Sequence, residues 1–287
     1  MPHKPRYIIH DGFRMPMGFP VEGFASGLSY KAQPGDIFIA TYPKCGTTWT
    51  QHIIWLIQHD GKPFPAEKSI TEKMPHLEEV GKEFVAALPT PRVIKTHLFY
   101  DMTPYHRDAK YIYVARNPFD CVVSFYHHTK GFVKHYDFAD GTFEEFFECF
   151  ISGEVDFGDY FDNLLPWYKH KDDKNILFLT YEYMKEDTKG AVIKIAEFLG
   201  NEYLNKVKNE TILNKIVNYS SFESMSKNQN RWSSKRPENM TPFIRKGKVG
   251  DWNNYFTSSQ IKRLTEKFAT KTKGTGLEKL WENIIPC

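Results

Sequence analysis

Short apolar, β-branched runs alternate along the chain with longer stretches in which apolar residues recur every three to four positions. Asp36-Ile37-Phe38-Ile39-Ala40-Thr41, bounded by Pro34-Gly35 and Pro43, predicts a buried strand. Behind it Trp49, Ile53, Leu56 and Ile57 recur at helical spacing with Ile54 and Trp55 beside them, which predicts a largely buried helix. Thr47 or Thr48 offers a hydroxyl to cap its first amides. Residues 92 to 98 predict a second strand, residues 110 to 115 a third and residues 175 to 180 a fourth. The third runs into Asn117 as N-cap and Pro118 at the first helical position, opening a helix through Tyr126. Phenylalanines at helical spacing predict another helix over residues 143 to 150, and Ala191 to Leu199 a further one, stopped by Gly200. Strand followed by helix, repeated from Asp36 to Gly200, predicts an α/β fold: a single domain over residues 1–287, with a central, mainly parallel sheet flanked by helices.

Two stretches break the pattern. Residues 1 to 35 carry Gly12, Pro16, Gly18, Pro20, Gly23, Gly27 and Pro34 and read as a looped lead-in without regular structure, at the mouth of a pocket. Residues 61 to 91, punctuated by Pro63, Pro65, Pro75 and Pro89, read as loops around short helical pieces.

Composition narrows the function classes. A net charge of +3 is too small to argue for nucleic acid or a membrane as partner, so any anion site must be local. Aromatic residues make up 16% of the chain, which suits a pocket for flat apolar ligands and, in larger share, a big core. Cys45, Cys121, Cys149 and Cys287 show no metal or redox spacing and read as free thiols in a reducing compartment. The first residues lack an apolar signal core, and no stretch approaches the ~20 apolar residues of a membrane span, so a cytoplasmic location is expected.

The candidate chemistry gathers at strand ends. Between the first strand and its helix, Thr41 to Trp49 form a glycine-bearing loop where free amides, a helix dipole and the Lys44 charge converge on one point, a cradle for phosphate. Nucleoside-triphosphate loops place a glycine four residues before Gly-Lys-Ser/Thr; here the lysine precedes the glycine. Taken alone, the loop fits an ordinary strand-to-helix turn equally well. The second strand also ends in cations, Lys95 and His97, and the third in Arg116; ligands of open α/β sheets sit beyond these ends. Tyr181 closes the fourth strand, where it can pack against a base. Arg245-Lys246-Gly247 combines two cations with a glycine that lets amides approach a phosphate.

Tyr42-Pro43-Lys44-Cys45-Gly46-Thr47-Thr48-Trp49 resembles the 5′-phosphosulfate loop of the cytosolic sulfotransferases, and four further motifs follow in the family's order up to Trp252. The resemblance implies 3′-phosphoadenosine 5′-phosphosulfate (PAPS) as donor, PAP as product, and a P-loop-like site without metal. Lys95-Thr96-His97-Leu98 resembles the catalytic histidine motif, although Phe99-Tyr100 stand where many members have proline. Arg116 with Ser124 resembles the 3′-phosphate site, Ser220-Ser221-Phe222 with Met225 the adenine-contacting segment, and Phe243-Ile244-Arg245-Lys246-Gly247 the C-terminal 3′-phosphate motif. His97 is then the base, Lys44 and Lys95 stabilise charge, and Ser124 holds Lys44 back until the acceptor arrives. A sulfuryl group carries one negative charge, so two lysines can replace the Mg²⁺ of phosphoryl transfer. Phe19, Phe24, Met74, His76, Leu77, Phe99 and Phe125, with Lys95, Thr96 and His97, are the expected acceptor walls, favouring phenols, aromatic amines or steroid-like alcohols. The family's dimerisation segment is degenerate here, with Asn253, Thr257-Ser258 and Lys262 in its place, which argues against the usual homodimer contact. A P-loop kinase and a non-catalytic nucleotide-binding protein are the alternative readings; the first needs the missing Gly-Lys-Ser/Thr order, the second has no use for His97.

Overall fold

The computed structural model describes residues 3–232 and 241–286. Cys287 lies outside them. The lead-in holds more order than its glycines and prolines suggest. Strands β1 (Tyr7–His10) and β2 (Phe13–Pro16) form an antiparallel hairpin, and a helix follows over Val21–Leu28. Asp11 and Gly12 turn the hairpin with φ of 48° and 79°, the geometry that an Asp-Gly pair favours in two-residue hairpin loops. That dipeptide was the signal; the flanking glycines and prolines hid it. Residues 61–91 contain a 3₁₀ turn at Ile70–Glu72 and a helix at Leu77–Ala86, kinked at Gly81, in keeping with short helical pieces among loops.

The four expected strands form one parallel sheet: β3 (Asp36–Ala40), β4 (Arg92–Thr96), β5 (Lys110–Ala115) and β6 (Ile176–Thr180), in the order β4-β3-β5-β6. Alternation within the strands sorts the layers. Phe38, Ala40, Tyr111, Tyr113 and Ala115 pack in one core with Phe119, Phe146, Trp167 and Phe268, from helices Pro118–Gly131, Phe143–Ser152, Tyr160–Lys169 and Ser258–Thr272. Ile37, Ile39, Ile112 and Val114 pack in a second core with Ile53, Ile195 and Ile216, from helices Thr47–Gln58, Thr188–Leu199 and Glu210–Tyr219. Strands buried on both faces are near-continuously apolar, which is why they read so clearly in the sequence.

Because all four strands run parallel, their carboxyl ends share one edge. The chain steps from β3 to β4 on one side and returns to β5 on the other, so the topological switch point lies between β3 and β5, where α/β sheets bind ligands.

Candidate active site

Each strand of the sheet ends at the same cavity, which encloses about 720 Å³. From β3 the chain enters the loop with Lys44 at φ 70° and Gly46 at φ 101°, both left-handed. A Cβ on Gly46 would sit 3.1 Å from Tyr181 Cδ2, so the loop passes close beneath that ring. Gly46, not a threonine, is the N-cap of helix Thr47–Gln58, and no side chain caps it. The Thr47 hydroxyl is instead 2.6 Å from that of Thr41. The helix start therefore leaves its first amides free of a side-chain cap and available to an anion.

His97 follows β4 and is fixed through Nδ1, which donates to the Thr41 carbonyl at 2.8 Å. This assigns the tautomer and leaves Nε2 as the acceptor. The backbone N–H of His97 and the Thr96 hydroxyl both donate to buried Glu78 Oε1, at 2.6 and 3.0 Å. Burial, reinforced by His76 and Lys95, holds the imidazole well below the ordinary histidine range. His97 is thus neutral near pH 7. Its ring meets His76 edge-on at 4.8 Å and Phe157 at 5.0 Å. Burial also lowers the Lys95 ammonium, against the opposing pull of Glu79 and Glu78.

Arg116 follows β5. Its guanidinium lies 4.4 Å over the Tyr181 ring and donates to the carbonyls of Lys44 (3.2 Å) and Lys248 (3.4 Å). Its buried Nε has no partner among the described residues. Asn117 caps the next helix through the Asp120 amide, with Pro118 in the first turn. Buried Asp120 in turn accepts the N–H groups of Gly250 (2.7 Å) and Trp252 (3.0 Å), which ties the C-terminal basic segment to this helix start. Asp251 accepts from Lys246 at 2.6 Å and from Arg245; against the burial that would raise it, these partners hold its carboxyl down at about 2. Gly247 has φ 60°, and a Cβ there would fall 2.6 Å from Phe222 Cδ2, so the 245–247 and 220–225 segments meet across that glycine.

A sulfotransferase domain model matches residues 34–276. Human sulfotransferase 1C2 is 38% identical over 272 residues, covering 90% of each chain. The crystal structure of mouse sulfotransferase SULT7A1 complexed with PAP is 30% identical, with a TM-score of 0.76 and 96% of both chains covered. Retinol dehydratase, solved with androsterone and PAP, shares the fold at a TM-score of 0.80 and 23% identity. This chain belongs to the sulfotransferase family. The match stands against the kinase and carrier readings, and the reaction is sulfuryl transfer to small acceptors.

In this sulfotransferase the cavity is lined by every residue expected to contact the donor except Cys45. That thiol turns into the core, its Sγ 3.7 Å from Cys121 Sγ, and burial pushes its pKa well above the ordinary thiol value. Ser124 lines the cavity, but among the described residues the Lys44 amine meets His128 Nδ1 at 3.5 Å and the Phe243 ring at 4.2 Å rather than the serine.

The acceptor walls differ more. Phe19, His76, Lys95 and His97 line the cavity; Phe24, Met74, Leu77, Thr96, Phe99 and Phe125 do not. Phe24 stacks on Phe13, Phe99 meets Phe13 edge-on, and Phe125 packs against Tyr42 and Phe146. Met74 and Leu77 are core residues, and the Thr96 hydroxyl serves Glu78. The cavity lining also includes Glu79, Phe132, His135, Tyr136, Asp156 and Phe157. Phe157 sits at φ 60° in the turn between two helices, where no periodicity marks it.

Among the described residues no helix is long and apolar enough to cross a membrane.

Proposed function

We propose that this sulfotransferase takes the sulfuryl group of PAPS and places it on a hydroxyl or amine of a small aromatic or apolar acceptor, with His97 as base. One observation carries this reading: His97, oriented by Thr41, opens onto the same cavity as Lys44, Lys95 and Arg116. PAPS, when bound, supplies the activated sulfuryl group. The Thr47–Gln58 helix start and Lys44 hold its 5′ end, and Arg116 with Arg245 to Gly247 its 3′-phosphate. Tyr181, Phe222 and Met225 offer apolar surface to the adenine. Buried and neutral, His97 accepts the acceptor's proton at Nε2 as the new bond to sulfur forms and the bond to the departing phosphate breaks. The ammonium groups of Lys44 and Lys95 then stabilise the charge that develops, an electrostatic contribution of several kcal/mol in such sites. No step calls on a metal. The described cysteines are free thiols, in keeping with action in the cytoplasm.

Thermal melting with PAP against ATP plus Mg²⁺, followed by turnover of labelled PAPS over a panel of phenols, aromatic amines and steroid alcohols, tests the reading. A rise in Tm with PAP and transfer to at least one of these acceptors is expected. Stabilisation by ATP with Mg²⁺ and none by PAP would overturn it.

A further inference from the structure

A second imidazole stands beside the base. His76 precedes helix Leu77–Ala86 and runs alongside β4, where the Lys95 N–H donates to the Pro75 carbonyl at 2.8 Å. Its ring meets that of His97 edge-on at 4.8 Å, and both line the cavity. Phe19, edge-on to His76 at 5.0 Å, and Phe157, tilted against it at 5.9 Å, share this stretch of wall. Next to the base, phenyl surface is thus interrupted by a group that can hydrogen-bond.

The two nitrogens of the His76 ring differ. Nε2 is buried 3.4 Å from Glu78 Oε2, and neither atom has a hydrogen-bond partner among the described residues. Nδ1 is not closed off in this way. The exposure that His76 retains, 3% against 7% for His97, lies on the cavity wall, so Nδ1 is the nitrogen that a bound molecule can reach. Burial, reinforced by Lys95, holds the His76 imidazole well below the ordinary histidine range, so the ring is neutral near pH 7. A neutral imidazole carries one proton, and Nδ1 either donates or accepts according to which nitrogen holds it. A hydroxyl answers both cases; an ammonium or an ether answers one. A phenol with a single hydroxyl, seated on His97, shuts water from Nδ1 and offers it nothing. Sites built to bond a hydroxyl reject analogues that lack it for this reason.

We propose that His76 is a specificity-determining residue whose Nδ1 pairs with a second hydroxyl adjacent to the one that reacts, so that this enzyme prefers vicinal dihydroxyarenes. The inference rests on the sulfotransfer reading above. Because the two imidazoles touch, a hydroxyl bonded to His76 must neighbour the one bonded to His97. His97 Nε2 takes the proton of the reacting hydroxyl, the sulfuryl group joins that oxygen as PAP departs, and the neighbouring hydroxyl stays on His76.

Catechol and hydroquinone, isomers that differ only in where the second hydroxyl sits, test it as acceptors for labelled PAPS with a reductant present. In the wild type, kcat/KM favours catechol by about tenfold or more, and His76→Phe, which keeps a ring in the wall without its nitrogens, removes most of that ratio through the KM for catechol. Should His76→Phe fail to fold, seen as loss of the PAP-induced rise in Tm, the wild-type ratio decides. A wild-type ratio below about tenfold, or one that persists in the folded variant, overturns the assignment. Turnover of other acceptors but of neither diol overturns it as well and leaves the sulfotransfer reading standing; no turnover of any acceptor sinks both.

Discussion

The two ends of the cavity are built by different means. Around Lys44 and Arg116 the backbone does most of the work: a left-handed loop and the Thr47–Gln58 helix start leave one strand of the parallel sheet at the edge where Arg116 ends another, and a glycine-bearing basic segment meets them there. The acceptor end is a collection of side chains from the β1-β2 lead-in, the Leu77–Ala86 region, the 132–136 segment and the 153–158 turn. In the proposed reading, donor recognition is tied to the fold itself, while acceptor recognition hangs on individual side chains that can change without disturbing the sheet.

If that contrast holds, the largest single effect comes where the two ends meet. His97→Ala lowers turnover by about 10²–10⁴-fold, the usual worth of a positioned base, while the PAP-induced rise in Tm persists. Turnover near wild type would remove His97 as the base.

Next in size is Asp120→Ala, which leaves the Gly250 and Trp252 amides without their acceptor. Two orphaned donors cost about 2–6 kcal/mol. The KM for PAPS rises more than the KM for the acceptor, because the basic segment loses its tether to the Pro118 helix. An equal rise in both constants would break the comparison between the two ends.

A third test uses pH. The depressed His97 pKa keeps the base neutral below the ordinary histidine value of about 6.5, so kcat/KM stays flat through that pH and falls only further into acid. A limb centred at or above about 6.5 contradicts the buried-base geometry. Stability follows the same sign. His52, lowered to about 3 by burial, together with His76 and His97, binds protons more readily when unfolded. The stability owed to these groups is complete above the unfolded pKa near 6.5 and is lost as pH falls toward the folded values. Urea midpoints between about pH 8 and pH 5 measure it.

The smallest effect is expected at Gly247→Ala, where a left-handed backbone and the nearby Phe222 ring both oppose a methyl group. About 1–2 kcal/mol of PAP affinity is lost as Phe222 shifts. Unchanged PAP affinity would show that the two segments do not share a ligand.

Legibility in the sequence divides along the same line. β3 and β5 stand out because both faces are buried, and Asn117-Pro118 because helix starts follow local rules. The hairpin at Asp11-Gly12 was equally local, yet a crowd of glycines and prolines masked it. Phe24, Met74, Leu77 and Phe125 are buried core residues, and the sequence does not separate them from pocket walls because an apolar residue looks the same whether it faces a ligand or the core. Phe157 and Asp156 had no periodicity to declare them.

The sequence by itself determined the order of strands and helices, the glycine-bearing loop from Thr41 to Trp49 and the cations at the strand ends, since each depends on neighbours a few positions away. Only the tertiary structure decided that Thr41 orients His97 across 56 residues, that Asp120 gathers the basic segment from 132 residues away, and that the His76 ring meets His97 on the cavity wall. Those contacts join segments remote in the chain, and which distant side chains meet is set by how the layers close on the sheet.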